Sequence, residues 1–77
     1  MIVVIQRVTS ASVKVEGKMI SSIRNGMLIL LGISSDDSKE DIIKMTNKIS
    51  KLRIFNDENN IMNKNVNEVN GEVLVVS

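Results

Sequence analysis

Apolar and polar residues alternate with a period of two through the first third of the chain, the signature of half-buried β-strands. Over residues 2–9, Ile2, Val4, Gln6 and Val8 share one face, while Val3, Ile5, Arg7 and Thr9 share the other. Ala11, Val13 and Val15 then alternate against Ser12, Lys14 and Glu16, predicting a second strand over 11–15. Glu16-Gly17 supplies a tight hairpin turn, because glycine tolerates the positive φ such turns need, and Lys18 to Ile23 returns as a third strand. Asn25-Gly26 reads as a second turn of the same chemistry. Met27 to Ile33 is apolar throughout and is expected to be a strand buried on both faces. Gly32 inside it predicts a close backbone approach or a bulge.

The period then changes. Ile42, Met45, Ile49 and Leu52 recur every three or four residues and predict one apolar stripe on a helix ending near Leu52. Asp37, with Glu40 three residues on, fits an N-cap and its reciprocal carboxylate. Asp36, Asp37, Glu40 and Asp41 also place negative charge where the helix dipole favours it; a metal site is the alternative reading of that cluster. Lys44, Lys48 and Lys51 form a basic edge, read as a solvated face, with a nucleic-acid patch as the alternative. Arg53-Ile54-Phe55 leaves the helix in an extended piece, and Phe55, the one aromatic residue, is expected in the core. Asn56 to Asn60 is a loop, and Ile61 to Val69 is Asn-rich with no clear period. After an Asn70-Gly71 turn signal, Glu72 to Ser77 reads as a strand dominated by β-branched Val. Its single charge predicts burial on both faces and a central place in a sheet. Ends of such strands are where α/β proteins place their chemistry, so Ser77 stands at a candidate site, and a domain stopping there looks unfinished. The fold class is α/β: a mixed, barrel-like sheet of about five strands packed with one main helix. No repeat, linker or internal boundary divides residues 1–77.

Composition adds limits. A chain of 77 residues buries roughly 60–65% of its unfolded surface, so its core is small. It has no Cys, His, Pro or Trp: no disulfide or thiolate site, no imidazole base, no large anchor. Help is expected from more chain or from a second subunit. Apolar content of 43% and a net charge of +1 fit an ordinary globular protein and neither announce nor exclude a nucleic-acid binder. The longest apolar run, Met27 to Leu31, is too short to span a membrane. The N-terminus lacks the basic flank of a signal peptide, so a cytoplasmic location is the expectation.

The inventory of reactive groups is restrictive. Without His there is no Ser-His-Asp arrangement, and without Cys or His no zinc site of the usual ligands. Gly17, Gly26, Gly32 and Gly71 form neither a phosphate loop nor a dinucleotide fingerprint. No cofactor is implied. Hydroxyls, carboxylates, Lys, Arg and the backbone remain, and an enzyme built of these would rely on backbone donors at a developing oxyanion. Arg7 sits on an otherwise apolar strand face. Either its stem is packed with its head in water, or its guanidinium is buried and holds backbone carbonyls or a carboxylate.

The order of motifs resembles the N-terminal half of the D-aminoacyl-tRNA deacylases, also called D-tyrosyl-tRNA(Tyr) deacylases. The matching stretches are Ile5-Gln6-Arg7-Val8-Thr9 with Ala11-Ser12-Val13, then Gly26 to Ile33, Asp36-Asp37, Leu52 to Glu58, Met62-Asn63 and Gly71 to Ser77. The resemblance covers the whole chain; no single motif is decisive, but the ordered set is specific. It implies a homodimeric cytoplasmic enzyme that hydrolyses the ester joining a D-amino acid, or glycine, to the 3′ end of tRNA. Ser77 matches the Ser of the family's Ser-Gln-x-x-Leu motif, which supplies backbone donors near the scissile ester. The ribose 2′-hydroxyl of the tRNA assists, which agrees with the absence of His. Arg7 matches an Arg that helps hold the family's Gly-cis-Pro chirality filter.

This sequence departs from the family in length and in having no Pro. Family members are roughly twice as long, and the filter belongs to their C-terminal half. The departure admits three readings: a fragment of a longer protein, a half completed by a separate polypeptide, or a self-sufficient fold that has lost the activity. The first is preferred, because a strand expected to be buried needs neighbours on both edges.

Overall fold

A computed structural model of the protein describes all 77 residues. Seven strands and one helix follow in the order β1 (Ile2–Val8), β2 (Ala11–Val15), β3 (Lys18–Ile23), β4 (Gly26–Gly32), α1 (Lys39–Lys51), β5 (Phe55–Asn56), β6 (Met62–Lys64) and β7 (Glu72–Val76). They form a three-stranded sheet β1-β4-β7 and two two-stranded ribbons, β2-β3 and β5-β6. β4 is the axis of the main sheet: it pairs antiparallel with β1 from Ile2↔Gly32 to Val8↔Gly26, and parallel with β7 from Gly26↔Glu72 to Leu30↔Val76. The mixed α/β class and the five longer strands match the sequence expectation. The short pair β5-β6 was hidden in the Asn-rich stretch.

The registers assign the faces. Val3, Ile5, Arg7, Met27, Ile29, Leu31, Val73 and Val75 look toward α1 and the β5-β6 ribbon. There Met27, Ile29, Phe55 and Val66 are buried, with Val3, Ile5, Ile49, Ile54 and Val69 packed against them. Ile2, Val4, Gln6, Leu28, Leu30, Leu74 and Val76 lie on the opposite face, where Leu74 is buried while Ile2, Val4 and Leu30 are exposed. The hydrophobic core is thus confined to one face of a three-stranded sheet.

The turns follow backbone chemistry. Glu16 and Gly17 both take positive φ, 51° and 79°, as a two-residue type I′ hairpin demands. Asn25-Gly26 is different from expectation. Neither residue has positive φ; Arg24 and Asn25 form a bend and Gly26 already belongs to β4. Gly26 is required for space, since a Cβ there would stand 1.8 Å from the Glu72 carbonyl oxygen. Gly32 carries neither a bulge nor a close approach: it pairs in register with Ile2, and a Cβ would meet Ile2 at an ordinary 3.9 Å.

The helix start is displaced by one residue from Asp37. Ser38 is the N-cap: its Oγ accepts from the Asp41 N–H at 3.2 Å, and its own N–H donates to Asp41 Oδ2 at 3.0 Å. This is a capping box with Asp in place of the expected Glu40. The end is as anticipated, with Leu52 as C-cap and Lys48 and Lys51 in the last turn.

β7 lies at the edge of its sheet, not in the middle. Leu74 is buried, but Val73 and Val75 are 43% and 52% exposed. Burial on both faces fails because only β4 flanks the strand and nothing lies directly on the row of Val73 and Val75. β4 itself buries Met27 and Ile29, while Leu30 on its far face is 45% exposed.

Candidate functional site

The Arg7 side chain leaves β1 on the core face and reaches the segment that follows α1. Its Nη1 donates to the Ile54 carbonyl at 3.0 Å and to Asn56 Oδ1 at 3.1 Å. Its guanidinium stands 5.9 Å from the centre of the Phe55 ring, within reach of a cation–π contact. One planar fork therefore pins residues 54–56 to the first strand. The guanidinium holds a backbone carbonyl, as the second reading of Arg7 required, but it is exposed and meets no carboxylate. Asn56, its side-chain partner, carried no signal in the sequence, since loop Asn residues are common.

Ser77 follows the last residue of β7 and is exposed. Its hydroxyl makes no hydrogen bond within the chain, so no base stands beside it. Arg7 is level with Met27 and Val73. From strand spacings, Ser77 lies on the order of 15 Å from it, four residues along and two strands across. The structure therefore does not bring the two sequence-derived site residues together. They flank one sheet face, Arg7 at one end and Ser77 at the other.

Between them is an open apolar groove. Its floor is Met27, Ile29, Leu31, Val73 and Val75, and its wall is the Ile42, Met45 and Ile49 stripe of α1. The cavity has a volume of about 320 Å³. No residue of α1 is buried, so the helix leans on the sheet through Ile49 and leaves the floor uncovered.

The carboxylates have structural tasks. Asp37 receives the α-ammonium of Met1 at 3.1 Å and the Ser34 N–H at 2.8 Å. The Ser34 N–H, and after it the Met1 ammonium, hold the Asp37 carboxyl below its ordinary value of 3.8. Asp57 accepts from the Ile61 and Asn59 N–H groups, at 3.1 and 2.8 Å, and these lower its pKa while folding the β5-β6 turn. No three acidic side chains converge as metal ligands; Asp37 and Asp41 are already engaged. Lys44, Lys48 and Lys51 are exposed and form no ion pair. No helix is long and apolar enough to cross a membrane.

The architecture is thus a mixed α/β unit with a one-sided core, an exposed strand end and no nucleophile–base pair. The sequence profile of the D-Tyr-tRNA(Tyr) deacylases matches residues 4–77, and the chain belongs to that family. It is 60% identical over 74 residues to a D-aminoacyl-tRNA deacylase of Dictyoglomus turgidum, covering 96% of this chain and 47% of that protein. It is 55% identical over 74 residues to one of Thermosipho africanus, covering 96% and 50%. A solved structure, that of c-Myc DNA Unwinding Element Binding Protein, superposes with a TM-score of 0.90 at 43% identity, over 95% of this chain and 50% of that one. The chain spans about half the length of the curated relatives it matches.

Proposed function

We propose that residues 1–77 are the N-terminal part of a single D-aminoacyl-tRNA deacylase domain. Such an enzyme hydrolyses the ester between a D-amino acid, or mischarged glycine, and the 3′ end of tRNA, as a cytoplasmic homodimer. The observation that carries this reading is the family match over residues 4–77, with relatives of that name 55–60% identical along nearly all of the chain.

The chemistry needs little from side chains. Water adds to the ester carbonyl, the carbonyl oxygen becomes an oxyanion, and the C–O bond to the ribose breaks as its 3′-oxygen takes up a proton. Backbone N–H groups at and beyond Ser77 would hold the oxyanion, which is effective where water is excluded. The neighbouring ribose 2′-hydroxyl would help move the proton, the role a base has in other hydrolases. Arg7 would act at a distance by fixing residues 54–56, which makes it a positioning residue.

The test is hydrolysis of D-tyrosyl-tRNA and L-tyrosyl-tRNA by this chain joined to the second half of the Dictyoglomus turgidum protein. Release of D-tyrosine with L-tyrosyl-tRNA spared supports the reading, and an intact D-ester at every enzyme concentration removes it. A second reading is a non-catalytic module that pairs with itself or a partner. The exposed apolar surface of Ile2, Val4 and Leu30 favours it, and it requires a defined complex with no deacylation.

A further inference from the structure

We infer that the groove between α1 and the main sheet, together with the free edge of β7, is the seat of the second half of the deacylase domain, which enters as an extended apolar segment. The inference rests on the half-domain reading above and deepens it by naming the surface and the mode of engagement.

Three independent observations converge. First, the chain exposes 5860 Å², whereas a folded monomer of 8.5 kDa exposes roughly 4,700 Å². The excess, roughly 1,200 Å², is larger than the ~800 Å² that one partner contributes to a standard protein interface. The Cα radius of gyration agrees: 13.8 Å against roughly 11.5 Å for a compact chain of this length. A small apolar ligand filling about 320 Å³ would leave most of that surface bare; a polypeptide of similar size would cover it.

Second, the groove is continuous with an unpaired strand. Val73 and Val75 form its floor and belong to β7, whose outer edge has no neighbour. Main-chain donors and acceptors on that edge call for a strand. A strand added there would carry alternate side chains onto the same floor. A helix laid in the groove would fill the space but leave the edge bare. Third, the curated relatives carry about as much chain again as is matched here, so the family supplies an occupant of the right size.

A second copy of this chain suits this surface less well. The face that holds Ile2, Val4 and Leu30 offers another copy a flat apolar patch, whereas the groove is walled by α1 and needs a narrow, extended occupant.

The test is titration of the isotope-labelled chain with the second half of the Dictyoglomus turgidum protein as a separate polypeptide, the two refolded together from urea. A 1:1 complex is expected by native mass spectrometry. Methyl resonances of Met45, Ile49, Val73 and Val75 should shift, and β7 amides should gain protection from exchange. Val75→Lys, half-exposed in the free chain, should weaken the complex at least about thirtyfold, as should Met45→Lys from the helix side. Val15→Lys on the β2-β3 ribbon should leave it unchanged. No complex, a complex indifferent to both groove variants, or shifts confined to Ile2, Val4 and Leu30 overturns the inference. So does a homodimer of this chain abolished by Val75→Lys. If the second half aggregates, the two halves in one polypeptide keep the question decidable: exchange of β7 amides must slow relative to the 77-residue chain. The outcomes separate from the activity assay, since engagement without hydrolysis removes only the enzymatic reading. Hydrolysis by the joined protein with the groove still open removes only this one.

Discussion

Gly26 and Glu72 touch backbone to backbone: a methyl group on Gly26 would lie 1.8 Å from the Glu72 carbonyl oxygen. The contact sits where the parallel pairing of β4 with β7 begins. Two hydrogen bonds flank it, the Glu72 N–H to the Asn25 carbonyl at 3.0 Å and the Arg24 N–H to Glu72 Oε1 at 2.8 Å. Gly26→Ala should therefore push β7 off the sheet and destabilise by about 3 kcal/mol, the upper range for an overpacked site. Gly32→Ala is the control. A Cβ there meets Ile2 at 3.9 Å, and relief of backbone entropy should make it neutral or stabilising by about 0.5 kcal/mol. Urea midpoints of the two variants decide the matter; equal midpoints would mean that β7 tolerates displacement.

The capping box gives a second expectation. Ser38→Ala removes the acceptor for the Asp41 N–H and should cost about 1 kcal/mol. Glu40→Ala, which touches no helix-cap group, should cost far less. Equal losses would return the cap to the position read from sequence.

Asp37 fixes the acid side of the stability profile. Its folded-state pKa lies below its ordinary value of 3.8, through the Ser34 N–H and then the Met1 ammonium. A depressed carboxylate contributes stability that is complete above the unfolded pKa and is lost as pH falls through the folded one. The unfolding midpoint should thus hold steady down to about pH 5 and decline below about pH 4. Asp57, lowered chiefly by the Ile61 and Asn59 N–H groups, adds to the same limb. The specific expectation concerns the difference: wild type minus Asp37→Asn should shrink as pH falls below 4, and a constant difference would dismiss the charge.

Arg7→Lys keeps the charge and loses the planar fork that reaches Ile54 and Asn56. With the guanidinium exposed, a loss of about 1 kcal/mol is expected. It should be accompanied by faster amide exchange over residues 54–56. Unchanged exchange there would show that Phe55 alone holds the segment.

Ser77 is the position at which side chain and backbone roles separate. In the joined two-half protein, Ser77→Ala should lower the hydrolysis of D-tyrosyl-tRNA by no more than about tenfold, because main-chain donors survive the substitution. A loss of several orders of magnitude would place an acyl group on the hydroxyl.

Local patterns carried most of the strand and helix assignments. Alternation fixed β1, β2 and β3 nearly to the residue, and Glu16-Gly17 specified its turn because both residues must take positive φ. The failures were all contacts at a distance. Asn25-Gly26 has the letters of a turn, yet Gly26 is demanded by Glu72, 46 positions later. Asp37 and Ser38 are both good caps, and the Met1 ammonium decided between them by claiming Asp37. Val73 and Val75 read as buried because valine composition reports what a surface prefers to meet, not whether it is met. Ser77 and Arg7 came to notice only through resemblance, since neither has a partner that spacing could reveal.

The order of the main sheet also sets the order in which it can be made. β1 and β4 lie within the first 32 residues and can zip together through β2 and β3 with local contacts. β7 must cross the helix and the β5-β6 ribbon before it finds β4, and closure of so long a segment is entropically late. The third strand is thus the last to be secured and the first to be released. On a ribosome, the sheet stays two-stranded until nearly every residue of the chain has emerged.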